Sequence, residues 1–259
     1  MPGITCTVIG HSTTLTQLDG TSILTDPHFG PRVFLSPRRT ELKIDHDLLD
    51  KVNTVLISHM HYDHLHINSF KFIGSGIPVI VPEHTEKAVG PLVSNPVIEL
   101  AHWATHELTD GTTITALPLH HRGGRLSQLR YTSSNAYLVE KNGMRMFFCG
   151  DSAYGPSFRE IGALYEIDVA YIPIGCYEPR WFMKKRHMTP AEAVNAFEEL
   201  GAKNMIPIHH GTFRLSFEPL DAPMKWLKKI CEERPDLAKR IHTTDFSGRI
   251  EINCHSDRA

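Results

Sequence analysis

The sequence predicts an α/β protein, a four-layer αββα sandwich formed by residues 1–259 as one domain, and three observations carry that expectation. The first third is a series of short apolar or alternating runs bounded by turn residues, which reads as β-rich. The second half alternates strand-like runs with helical periodicity, as βα units do. No repeat, low-complexity tract or linker divides the chain. Two β-rich halves with helices outside them make the four layers.

Residues 6–9, 13–18 and 22–25 are the first expected strands, with Asp19-Gly20 as the hairpin turn between the last two. Residues 52–58 form a mostly apolar run suited to a strand buried on both faces, and it ends at His59-Met60-His61-Tyr62-Asp63-His64. Further strands are expected at 78–81, 112–117, 136–140 and 144–149, the last two joined through Asn142-Gly143. Residues 168–174 make an apolar strand. Thr189 is placed as an N-cap, with Pro190 at the first helical position and Glu192 completing a capping box. Val194, Phe197 and Leu200 give that helix its apolar stripe and Gly201 ends it. A strand over 203–208 then runs into His209-His210-Gly211, and a second helix is expected over 223–233.

With 259 residues, 41% hydrophobic and 22% charged, the chain has ordinary globular composition and can bury a large core. A net charge of −2 without a polybasic tract argues against wholesale electrostatic binding of nucleic acid. Residues 1–10 lack a leader pattern, and no window approaches the ~18 uninterrupted apolar residues of a spanning helix. Cys6, Cys149, Cys176, Cys231 and Cys254 are scattered and form no C-x-x-C pair. Free thiols in a reducing, cytoplasmic compartment are the expectation. The unusual number is 17 histidines, because histidine is the commonest metal ligand and the usual proton shuttle.

Three imidazoles and a carboxylate lie within the six residues from His59 to His64. They cannot all be satisfied core groups, since each unpaired buried polar group costs about 1–3 kcal/mol. A strand end holds ligands rigidly, and a spacing of two puts His59 and His61 on one side of extended chain. Asp63 and His64 follow a bend and can face a second ion. Asp151 is the best further donor, because Gly150-Asp151-Ser152 is the abrupt end of a strand. His120-His121 and His209-His210 each end a strand-like run, and spacing leaves one ligand and one neighbour undecided in each pair.

These residues resemble the metallo-β-lactamase superfamily, through Thr25-Asp26-Pro27, His59-x-His61-x-Asp63-His64, Gly150-Asp151 and His209. Within it the chain is similar to the N-acylphosphatidylethanolamine-hydrolysing phospholipase D branch. That similarity rests on Gly10-His11, Phe147-Phe148-x-Gly150-Asp151, Ile172-Pro173-Ile174-Gly175-x-Tyr177-Glu178-Pro179-Arg180-Trp181-Phe182-Met183-Lys184, His187 and Ile208-His209-x-Gly211-Thr212-Phe213. The resemblance selects His121 from Pro118-x-x-His121, and His209 as the last ligand. It implies a first site of His59, His61 and His121, a second of Asp63, His64 and His209, and Asp151 bridging two zinc ions per chain, with Mn2+ or Fe2+ as substitutes. It places His187 near a substrate phosphate, His11 near the metals, and Asp26 in a structural or supporting position. His210 stands where the branch has Trp.

The implied chemistry is metal-assisted hydrolysis by an activated water, with Asp63 and Asp151 orienting the nucleophile and His187 or His210 as acid. A phosphodiester is the favoured substrate, small or lipid-like, with a lactone or other ester or amide as the alternative. No nucleic acid partner or transmembrane segment is expected, peripheral membrane contact is compatible with the sequence, and a homo-oligomer is left open. Residues 29–39 and 180–187 mix large apolar groups with cations, which suits an anionic ester carrying a greasy part.

Overall fold

The computed structural model describes residues 3–124 and 133–254. The first sheet is built from β1 (Gly3–Gly10), β2 (Thr13–Leu18), β3 (Thr21–Thr25), β4 (Thr54–Leu56), β5 (Val79–Pro82) and β6 (Val97–Leu100). The second contains β7 (Thr105–Glu107), β8 (Thr113–Pro118), β9 (Asn135–Lys141), β10 (Met144–Phe148), β11 (Val169–Pro173) and β12 (Asn204–Ile208). The last strand, β13 (Arg249–Asn253), returns to the first sheet beside β1. The orders are β13-β1-β2-β3-β4-β5-β6 and β12-β11-β10-β9-β8-β7.

Strand direction determines where the site lies. β1 and β2 are antiparallel, as are β2 and β3, while β3 and β4 run parallel. In the second sheet β8, β9 and β10 alternate in direction, and β10, β11 and β12 are parallel. The C-terminal ends of β1 and β4 therefore share one edge of their sheet, and those of β8, β10 and β12 share one edge of theirs. Open α/β sheets bind ligands outside such edges.

Three apolar layers hold the sandwich. Leu18, Ile23, Leu56 and Ile80 meet Tyr137, Val139, Phe148, Tyr171 and Ile206 between the sheets. On the outer face of the second sheet, Phe147, Ala170 and Ile172 pack against three helices, α1 (Ser157–Leu164), α3 (Pro190–Leu200) and α4 (Ala222–Glu233), where α2 (Arg180–Met183) is a single turn between the first two. The first sheet is covered by single helical turns at His46–Leu49, Ile67–Phe72 and Glu86–Val89, which supply Leu49, Phe70 and Val89. The αββα expectation holds, with one outer layer of full helices and one of short turns.

Residues 52–58 yield a shorter strand than expected, because Ser58 leaves the ladder. Its N–H donates to Asp26 Oδ1 and its carbonyl accepts from Asn135 N of the second sheet. The strands β6, β7 and β13 and helix α1 were not anticipated. Glu99, Glu107 and Glu251 interrupt the apolar pattern of these strands, and all three strands sit at sheet edges. All five cysteines are free, and Cys149 lies in the apolar layer under the helices. No helix among the described residues is long and apolar enough to cross a membrane.

Helix α3 has the capping box its sequence specifies: Thr189 Oγ1 accepts from Glu192 N, the Glu192 carboxylate accepts from Thr189 N, and Gly201 is left-handed. Thr189→Ala should cost about 1 kcal/mol. Urea unfolding is expected to show a lower midpoint at unchanged m.

Candidate metal centre

Five strand ends converge on one pit. β4 delivers Ser58 and His59, β1 His11, β8 His121, β10 Asp151 and β12 His209. Close approach at this point requires glycine. A Cβ on Gly150 (φ 63°) would lie 2.5 Å from Ser58 Cβ, and one on Gly123 would lie 2.3 Å from His59 Cβ. His11 and His209 are themselves left-handed, at φ 56° and 58°, a conformation that costs a non-glycine residue about 1–3 kcal/mol. Both are pinned by hydrogen bonds, His209 N to His11 O at 3.0 Å and His11 N to Thr212 Oγ1 at 2.7 Å.

The side chains form three overlapping donor groups, each with its ligand atoms within 4.8 Å of one another: His59, His61, His121 and Asp151; His11, Asp63, His64 and His209; and Asp151, His187 and His209. All seven expected metal ligands are therefore in one place, joined by His11 and His187. Asp151 lies between the groups. Its Oδ2 is 3.2 Å from His64 Nε2, 3.7 Å from His59 Nε2 and 3.9 Å from His121 Nε2, and its Oδ1 is 3.3 Å from His209 Nε2.

Hydrogen bonds on the far side of the rings determine which nitrogens face inward. Ser58 Oγ donates its one proton to Asp26 Oδ2, so it must accept from His59 Nδ1 at 2.9 Å, and His59 Nε2 carries a lone pair. His121 Nδ1 donates to the Arg186 carbonyl at 3.0 Å, which likewise leaves Nε2 as an acceptor. These two lone pairs stand 2.8 and 3.3 Å from His61 Nδ1. A proton on His61 can satisfy only one of them. A cation at their meeting point satisfies all three, so the donor set fits a metal ion. Asp151 Oδ1 and His187 Nδ1 are buried without a hydrogen bond, as donors reserved for a ligand would be.

The charge balance leads to the same conclusion. Burial alone would raise the pKa of Asp63 and Asp151, but the surrounding imidazoles, His64 and His209 foremost, hold both carboxyls well below the usual range. Two buried carboxylates then require positive charge. Burial opposes a charged His64, yet Asp151, Asp63 and Asp26 outweigh it and raise this imidazole well above its ordinary value. Burial and the neighbouring histidines push His59 well below its ordinary value. Burial also lowers His121 to about 4 and His187 to about 3, so these rings are neutral donors at physiological pH. Metal binding would release the proton held on His64.

Asp26, expected to be structural or supporting, accepts from Ser58 N, Ser58 Oγ and His64 Nδ1. His11 Nε2 lies 2.9 Å from Asp63 Oδ2 and orients that carboxylate. His120 is exposed, in a bridge with Ala153. His210 is outside the three donor groups: its ring meets Phe246 and hydrogen-bonds the backbone of Pro207. It lines a small cavity of about 20 Å³ with His11, Cys176 and His209. Arg180, grouped by sequence with substrate-facing cations, is engaged within the protein, with Nη1 on the His187 carbonyl and Nη2 on Glu192. Glu218 gave no signal in the sequence, yet its carboxylate accepts from Cys176, Tyr177 and Glu178 N and fixes the loop that leads to His187. His28 and His66, without pattern in the sequence, stack at 4.3 Å beside Phe213.

The family described as Beta-lactamase superfamily domain matches residues 21–210. The N-acyl-phosphatidylethanolamine-hydrolyzing phospholipase D 1 of Caenorhabditis elegans is 36% identical over 96% of this chain and 75% of its own length. A metal-dependent hydrolase of Methanopyrus kandleri is 29% identical over 88% of this chain and 91% of its own. Among solved structures, a metallo hydrolase from Ignicoccus hospitalis superposes with a TM-score of 0.74 at 20% identity, covering 98% of this chain and all of that one.

Asp26→Ala keeps every inward donor but frees the His59 and His64 rings to rotate. Metal affinity, followed by titration into the stripped protein, should fall about 10–100-fold. An unchanged affinity would separate Asp26 from the centre.

Proposed function

The chain belongs to the metallo-β-lactamase superfamily and within it to the N-acyl-phosphatidylethanolamine-hydrolysing phospholipase D family of metal-dependent hydrolases, and from that premise we propose a dinuclear zinc phosphodiesterase acting on a lipid-like phosphate ester. The observation that carries this reading is the position of Asp151 between two donor groups, with both of its oxygens directed at imidazole nitrogens. His59, His61 and His121 would hold one ion, Asp63, His64 and His209 the other, and Asp151 both. Mn2+ or Fe2+ are alternatives for the same donors. One apolar core shared by both sheets supports reading residues 1–259 as one hydrolase domain.

When bound, the ion pair supplies Lewis acidity and lowers the pKa of water towards ~7. The chain's own groups do the rest. Asp63, tethered by His11, and Asp151 accept hydrogen bonds from the attacking water and aim it at phosphorus. His187, a neutral ring at rest whose Nδ1 faces Asp151 at 3.7 Å, would take up the proton released by the attacking water and pass it to the leaving alkoxide. Arg180 bridges the His187 carbonyl and Glu192 and so holds that imidazole in place. His210, turned towards Phe246, supports the end of β12 in this scheme rather than serving as the acid.

His187→Gln tests the assignment by leaving group. With an alkyl phosphodiester, kcat should fall about 10²–10⁴-fold. With bis-p-nitrophenyl phosphate the loss should be much smaller, because p-nitrophenolate leaves without protonation. Equal losses on both would remove His187 from the acid role.

Purified protein is expected to contain two zinc ions per chain by elemental analysis. It should hydrolyse bis-p-nitrophenyl phosphate in preference to acyl-homoserine lactone or nitrocefin, and lose that activity on chelation. Preference for the lactone or nitrocefin would overturn the phosphodiester assignment, and full activity in chelator would overturn the metal mechanism.

A further inference from the structure

The sequence groups Arg38 with the substrate-facing cations of residues 29–39, but the structure turns it inward. It is half-buried, and burial lowers its pKa to about 10, with no carboxylate paired to it among the described residues. Nη1 is buried without a hydrogen bond. Nε donates to the Gly30 carbonyl at 3.1 Å, Nη2 donates to the His28 carbonyl, and the backbone N donates to Pro31 O at 2.8 Å. The loop from His28 to Arg38 is thereby closed on itself. A cation this far out of water, held by neutral carbonyls, is a costly way to close a loop. Its remaining contacts lead to the metal centre.

The guanidinium carbon stands 4.8 Å from the centre of the Phe213 ring, and a Cβ on Gly10 would meet Nη1 at 2.8 Å. Gly10 ends β1 and precedes His11. Phe213 meets the His11 ring edge-to-face at 5.4 Å and the His28 ring at 4.9 Å. The next residue adds a backbone grip: Arg39 N donates to the Thr212 carbonyl at 2.8 Å, and Thr212 Oγ1 accepts from His11 N at 2.7 Å. Arg38 and Arg39 therefore hold Phe213 and Thr212, and those two residues hold His11. His11 in turn has its Nε2 2.9 Å from Asp63 Oδ2, within the donor group of Asp63, His64 and His209. None of these contacts reaches His59, His61 or His121.

We propose that Arg38 is a positioning residue of the metal centre: through Phe213 and the Gly10-His11 bend it holds the His11 ring on Asp63 and so sets one donor group without touching it. Lysine would not substitute, because a compact ammonium cannot fork to two carbonyls and lie flat on a ring. The role rests on the dinuclear reading where zinc is counted, and is independent of it where the His11 ring is observed directly.

Zinc is titrated into the stripped full chain against a chromophoric chelator, for the wild type, Arg38→Lys and Arg38→Met. The wild type should fill two sites. Both variants should bind one ion as the wild type does and the other about tenfold more weakly. This loss should not add to that of His11→Ala, since the two residues act along one path. In the metal-free protein, long-range proton–nitrogen correlation spectra should place the proton of wild-type His11 on Nε2, donated to Asp63, and show mixed tautomers in Arg38→Lys. Equal weakening of both ions beside a lower melting temperature would make Arg38 a loop staple and overturn the proposal. So would unchanged zinc binding in both variants, or losses that add to those of His11→Ala. If the wild type binds a single ion, the dinuclear reading fails and the His11 spectrum decides: a single tautomer in Arg38→Lys overturns the positioning role, and mixed tautomers uphold it. Should Arg38→Met fail to fold, Arg38→Lys carries both measurements.

Discussion

The carboxylate of Asp26 is the contact on which the centre depends. Fully buried, it accepts from the backbone and hydroxyl of Ser58 and from His64 Nδ1. The single proton of Ser58 is thereby committed, which forces His59 Nδ1 to donate and its Nε2 to face the pit. Ser58 also bonds Asn135 across the gap between the sheets, so the same few atoms set the sheet spacing and the tautomer of His59. Each of these contacts satisfies a buried donor and a buried acceptor at once.

Around that contact the protein maintains an arrangement that would be costly without a cation. Two left-handed histidines, several glycines that admit no Cβ, and two buried carboxylates within a few ångströms each carry a free-energy penalty. Three packed apolar layers over-determine the strand ends and hold these groups where relaxation would separate them. The elevated His64 imidazole is the local expression of the same tension, a proton standing where positive charge is required. Strain and charge are confined to one edge of the sandwich, and the rest of the molecule is ordinary in packing.

The loops of that edge link the centre to the outside. The Arg186 carbonyl that orients His121 belongs to the segment that exposes Trp181, and Glu218 fixes the start of the segment by capping three backbone N–H groups. Ligand geometry and the exposed rim are therefore properties of one stretch of chain. A disturbance at the rim has a short covalent path to His121 and His187.

Much of this was legible in the amino-acid order. A run of donors at spacings of two and one after an apolar strand cannot be buried unpaired, so His59 to His64 pointed to a metal from sequence alone. The capping box at Thr189 and Glu192, the hairpin at Asp19-Gly20 and the strand over 13–18 are local effects, decided by groups a few residues apart. The choice within His120-His121 and His209-His210 was not local. It depends on which ring the end of its strand turns inward: His120 faces solvent, and His210 turns to Phe246. The partnership of His11 with Asp63, the grip of Arg180 on Glu192 and the triple cap by Glu218 join residues 52, 12 and about 40 positions apart. Such contacts carry no periodic signature, because a through-space hydrogen bond constrains position in the fold and leaves sequence spacing free. The sequence by itself determined the candidate donor types and the layers that carry them, and only the tertiary structure decided which nitrogen of each ring faces the pit.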